Sequence, residues 1–184
     1  MKLQLLFSIS PILALLFLSS CKRSDITNPN IDKKVLYERF HGKYKAIQST
    51  ASEPVDLNFD GTVSTNLLTE LDLENSELEI RVSTQLVFSQ TWPEVYLTPG
   101  TPDSIVNYAR QGVSRFFEFD NTMQQLNVKA ETPMIDEVRF PMPESVLIKQ
   151  GDNIEVTINK RLYTSLGWKM IKVVTLYKRY TMIT

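Results

Sequence analysis

From Glu77 to Phe88 apolar and polar residues alternate: Leu78, Ile80, Val82, Leu86 and Phe88 fall on one parity, and Glu77, Glu79, Arg81, Ser83 and Gln85 on the other. A period of two describes a β-strand with one face against a core and the other in water, the condition of an antiparallel sheet. Trp92-Pro93 then interrupts the run, and a turn-rich stretch follows at Thr98-Pro99-Gly100-Thr101-Pro102. A hairpin is expected over Ser104 to Asp120, folding at Gln111-Gly112, with a second turn at Asp120-Asn121 leading into Met123 to Ala130. Val138 to Phe140, bracketed by Pro133, Pro141 and Pro143, reads as an edge strand, because proline cannot donate to a central ladder. Val146 to Lys149, Asn153 to Tyr163 and Trp168 to Tyr180 complete the set. Eight to ten strands, short polar turns and no helical period after residue 75 predict an antiparallel up-and-down β-barrel, whose closure removes exposed edges. A β-sandwich is the alternative.

The segment ahead of the strands is of another kind. Lys2 precedes an apolar run from Leu3 to Leu18, which is too short for the roughly 20 residues that span a bilayer and reads as a secretory signal over residues 1–20. It ends at Leu18-Ser19-Ser20-Cys21, which resembles a bacterial lipobox with Cys21 as the acylated residue. Several acyl chains on one residue hold a protein to a membrane, at about 0.8 kcal/mol per buried CH₂. Export to the cell envelope, at the outer membrane, follows as an expectation. Lys22 and Arg23 leave open whether the periplasmic or the surface face is occupied. Cys21 is the sole cysteine, so the fold must stand without an internal disulfide. Cleavage removes Lys2, one of 20 basic residues, and leaves 19 against 21 acidic ones. That balance argues against nucleic acid as a partner.

Residues 21–31 are polar, with Pro29 and two asparagines, and read as a linker reaching up to roughly 35 Å. Residues 32–184 form the single domain. Asp32 is an N-cap candidate for a short helix carrying Val35, Leu36 and Phe40 on one face, with Gly42 as its stop and His41 capping its end. This helix is expected to cover one end of the strand domain. Gly42 to Ile47 begins the first strand, which Ser49 to Pro54 breaks.

After that break comes Val55-Asp-Leu-Asn-Phe-Asp-Gly-Thr-Val-Ser to Leu68. With Asp56 as position 1 of a calcium loop, Asn58, Asp60, Thr62 (through its carbonyl) and Ser64 fall at 3, 5, 7 and 9, with Gly61 at the turn. Position 12 is Leu67 rather than a bidentate Glu, so a closing ligand would come from Asn66 or Glu70. Affinity is then expected at the weak, roughly 0.1–1 mM end of the range. The alternative is a metal-free loop held by Asx turns and a helix cap, and no cofactor is required. Leu67, Leu68 and Leu71 mark one or two helical turns ending near Leu73, capped by Ser64 or Thr65.

The short helix running into Gly42-Lys43-Tyr44, with Tyr44 where a Trp is usual, resembles the lipocalin Gly-x-Trp signature. The loop Asp56-Leu-Asn-Phe-Asp-Gly resembles lipocalin-like lipoproteins of Gram-negative bacteria. The likeness spans about residues 35–180 as an arrangement. It implies a lipocalin-like barrel, and Arg179 on the last strand as the basic residue packed across Tyr44.

Catalytic chemistry finds no constellation. His41 is the only histidine and Cys21 is committed to lipid, so neither a Cys/His metal cluster nor a Cys-His nucleophile can be assembled. The pairs Glu77/Glu79 and Asp136/Glu137 read as solvated faces. The aromatics Trp92, Tyr96, Phe116, Phe117, Phe119, Trp168 and Tyr177 are divided between core and a barrel mouth or sugar-stacking surface. By fold analogy the expected function is non-catalytic binding of a small apolar ligand inside the barrel. The alternative is an interaction module whose outer surface takes an envelope protein or a glycan.

Overall fold

A computed structural model describes residues 32–100, 105–130 and 136–183. Among these residues nine strands form one antiparallel sheet ordered β6-β5-β4-β3-β1-β9-β8-β7, with β2 attached to β1. The strands are β1 (Gly42–Val55), β2 (Ser64–Asn66), β3 (Glu77–Val82), β4 (Leu86–Thr98), β5 (Ile105–Phe119), β6 (Leu126–Val128), β7 (Ser145–Ile148), β8 (Ile154–Thr164) and β9 (Gly167–Thr181). The two ends of the order meet: Gln125 bridges Leu147, and the Ile148 amide donates to the Gln124 carbonyl at 2.8 Å. The sheet therefore curls into a nearly closed, eight-strand, lipocalin-like barrel, and the sandwich alternative is excluded.

Helix α1 (Lys33–Phe40) forms as expected, with the Asp32 carboxylate accepting the Lys34 amide at 2.8 Å. It covers one end of the barrel, the helix pole, by burying Leu36 and Phe40, with Phe40 packed against Phe119 at 5.0 Å. Tyr44 donates to the Phe40 carbonyl at 2.7 Å, and burial pushes its hydroxyl pKa upward, while the facing Arg179 offsets this in part. Tyr44 and Arg179 are register partners across β1 and β9, and Arg179 donates to the Glu38 carbonyl at 2.8 Å. His41 caps the helix only through its backbone amide, which donates to the Tyr37 carbonyl. Its ring stacks on Tyr37 of the helix at 4.2 Å and ties it to the sheet, where Nδ1 accepts the Val82 amide at 2.9 Å. Gly42 serves close approach as well as chain turning: a Cβ there would meet the Thr181 carbonyl oxygen at 2.5 Å.

Several strand boundaries differ from expectation. The run from Glu77 to Phe88 is two strands, β3 and β4, folded at Ser83–Gln85; Ser83 bonds Gln85 through both backbone and hydroxyl. A three-residue turn advances the chain by an even step from Val82 to Leu86, so the alternation passes through it unchanged. Conversely, Gln111-Gly112 is not a turn. β5 is continuous, and Gly112 sits where a Cβ would come within 3.0 Å of the Thr91 methyl and 3.3 Å of the Gln90 carbonyl oxygen. Pro93 lies inside β4, opposite Arg110, where β4 has run past its last register pair with β3 and needs no amide on that side. β1 continues through Ser49 to Pro54: its register to β9 slips between Ala46 and Gln48, leaving Ile47 as the extra residue of a bulge that lets the strand bend. Residues 138–140 form a turn closed by the Phe140 amide on the Asp136 carbonyl, not a strand. Helix α2 (Leu67–Glu70) takes its cap from Asn66, whose side chain accepts the Leu68 amide.

Candidate functional site

The strands alternate inward and outward with few exceptions, so the barrel interior can be read residue by residue. At the helix pole it is aromatic and sealed: Phe40, Tyr44, Phe88 and Tyr177 are each 0% exposed. Further along it becomes polar. Gln90 donates to the Tyr177 hydroxyl at 3.0 Å, Ser49 and Thr175 share a hydrogen bond at 2.8 Å, and the Tyr177 pKa is pushed up to about 12, chiefly by burial. Beyond Trp92 lies an ion pair between Glu94 and Lys160, both buried, with the ammonium 5.7 Å from the Trp92 ring centroid. Burial lowers the Lys160 pKa and Glu94 partly restores it. Lys160 also donates to the Arg139 carbonyl at 2.9 Å, and the buried Arg115 to the Phe140 carbonyl at 2.6 Å. These two cations come from β8 and β5, so they fasten the irregular segment near residues 136–143 across the gap that short β6 and β7 leave open. Among the described residues, the void bounded by Leu57, Glu94, Tyr108, Lys160 and Trp168 has a volume of about 10 Å³, room for one water at most. The depressions of about 180 Å³ beside Leu86 and Lys129, and about 340 Å³ beside Leu68 and Asp72, are open to solvent.

At the opposite end, the far pole, sit the loop after β1 and the β8–β9 turn, joined by the Ser165 amide on the Asp56 carbonyl at 3.0 Å. The predicted calcium set is divided here. Asn58, Asp60 and Thr62 make a self-satisfied turn: Asn58 donates to Asp60 Oδ2 at 3.0 Å, and Asp60 Oδ1 accepts the Thr62 amide at 2.7 Å. The Ser64 hydroxyl accepts the Asn66 amide. Asp56 and Glu70, by contrast, are buried. Glu70 Oε2 accepts the Leu57 amide at 2.9 Å, and Tyr108 donates to the Leu57 carbonyl at 2.7 Å. The Tyr108 pKa rises to about 12, mainly by burial and then by the charges of Asp56 and Glu70. No three His, Cys, Asp or Glu side chains gather as a metal group among the described residues. Cys21 lies outside them.

A second feature of this pole is a row of rings on the outer wall. Tyr163 and Trp168 are register partners on β8 and β9, with centroids 5.1 Å apart. Phe59 from the loop joins them at 5.9 Å from Tyr163. Arg161 lies over Trp168 at 4.3 Å, and Leu166 and Met170, 83% and 65% exposed, flank the row. Phe59 reaches its place through a left-handed backbone, φ 61°, which costs a non-glycine residue roughly 1–2 kcal/mol. Of the aromatics singled out in the sequence, Trp92, Phe117 and Tyr177 are core and Phe119 packs half-buried against it, whereas Tyr96, Phe116 and Trp168 are exposed. Phe59, Tyr163 and Arg161 carried no sequence signal of their own. A cross-strand pair is visible only once register is known.

No protein-family model matches the chain, and no curated protein matches it in sequence.

Proposed function

We propose that this chain is an exported envelope lipoprotein of lipocalin-like type, anchored through Cys21 and non-catalytic, that recognises a partner protein through the aromatic row at its far pole. The observation that carries this reading is Phe59, a strained residue whose ring completes the exposed row with Tyr163 and Trp168. The Phe59 ring meets Tyr163 yet stays 40% exposed, so contacts within the molecule offset only part of the strain and binding accounts for the rest. Trp, Tyr, Arg and Met are the residues enriched at protein interfaces and their hot spots. A sugar would also need free polar groups and an open ring face; Asn58 and Asp60 are committed to each other, and Arg161 already lies over the face of Trp168. The described chain begins with α1 at the helix pole, and the row stands at the opposite pole.

A barrel also fits the binding of a small apolar ligand. What weighs against an apolar cargo is the composition of the interior, where an ion pair, a buried Arg and hydrogen-bonded Gln, Ser and Thr line the course a ligand would follow.

The test is a photo-crosslinking residue at position 166 in the lipidated protein in its own membrane, beside the same residue at Lys45 on the helix-pole side. The expected result is one discrete protein adduct at 166, lost in Trp168→Ala and absent at 45. Equal adducts at both positions, or glycan binding that Trp168→Ala abolishes, would overturn the protein-partner reading.

A further inference from the structure

We infer that Asp56 and Glu70 together bind a divalent oxygen-seeking cation, calcium by preference, in the buried corner beneath the loop after β1. The two carboxylates are 4% and 5% exposed, and neither makes an ion pair with a described Lys, Arg or His. A buried carboxylate is costly unless paired or fully hydrogen-bonded. Glu70 is partly satisfied by the Leu57 amide, which also fixes its carboxylate one residue from Asp56. Asp56 is not satisfied: Oδ1 is sealed from solvent with no hydrogen-bond partner among the described residues. The Tyr108 hydroxyl, which feels the charge of both carboxylates, gives its hydrogen to the Leu57 carbonyl. A cation supplies both what the corner lacks in charge and what Oδ1 lacks as a partner.

The donor set chooses the metal. All candidate ligands are oxygens, which disfavours zinc in a chain whose only histidine is bonded to Val82. Calcium accepts irregular geometry and variable ligand number, where magnesium demands a near-ideal octahedron. The set differs from the loop pattern in the sequence, because Asp60 belongs to the outer Asx turn and not to this corner. The inference stands independently of the surface reading.

The experiment is thermal unfolding of the purified full-length protein in detergent, with chelator or with about 10 mM calcium, for wild type, Asp56→Asn, Glu70→Gln and Asp60→Asn. With a dissociation constant of roughly 0.1–1 mM, calcium should raise the wild-type Tm by about 3–8 °C. Asp60→Asn should keep that rise, and Asp56→Asn and Glu70→Gln should lose it. Should the buried variants not fold, terbium luminescence of wild type and Asp60→Asn, displaced by calcium and not by equal magnesium, supports the site. The inference is overturned by an unchanged wild-type Tm, a rise that survives Asp56→Asn, loss of the rise in Asp60→Asn, or terbium emission that calcium does not displace.

Discussion

At the scale of single residues, the interior is arranged around groups whose burial has measurable consequences. Tyr177 is fully enclosed, and its pKa rises from 10.0 to about 12. Below pH 10 the phenol is neutral in both states and no stability is lost. Between pH 10 and about 12 the unfolded chain ionises while the native one does not, so stability falls through that window by up to about 3 kcal/mol. Tyr177→Phe should be less stable at neutral pH by about 1–3 kcal/mol, since the Gln90 amide loses its acceptor, yet should lose less than wild type on going to alkaline pH. Denaturant titrations of both proteins across that range check this; parallel curves would refute it. Little of this was legible beforehand, because Tyr177 occupies an ordinary strand position and only the fold brings Gln90 to it. His41 does cap α1 through its backbone amide, as its place before Gly42 suggests, but the bond its ring accepts, from the Val82 amide forty-one positions away, has no trace in the local sequence.

At the scale of elements, the sequence announced the strands well and their ends poorly. Alternation survives a turn of odd length, so Ser83–Gln85 was invisible inside a single apparent strand. Gly112 carried the opposite error: a glycine read as a turn is there to let β4 approach. Pro93 looked like a breaker and is tolerated at a locally unpaired edge. The least legible element is the crossing near residues 136–143, since it has no period and depends on Lys160 and Arg115 reaching it from distant strands. Glu94→Gln leaves Lys160 charged and buried without its counter-ion and should cost about 3–5 kcal/mol, whereas Glu94→Leu with Lys160→Met should be far milder than the sum of its parts. Chemical denaturation of the single and double variants measures both; additive losses would contradict the pairing.

At the scale of the whole molecule, the barrel has two unlike poles. One is stoppered by α1 and its aromatic contacts, and the other carries the Asp56–Glu70 corner and the exposed row. The architecture was recoverable from periodicity and turn spacing because strand number and short connections leave few closed solutions. The character of its interior was not, since inward residues share one parity whether a barrel is hollow or packed. The proposed use of the outer surface is tested most directly by hydrogen–deuterium exchange of the lipidated protein in its native membrane, compared with the same protein purified in detergent. Added protection in the membrane over residues 57–63 and 159–170, with β4 and residues 171–181 of β9 unchanged, is the expected result. Protection confined to β4 and residues 171–181, or none anywhere, would contradict it.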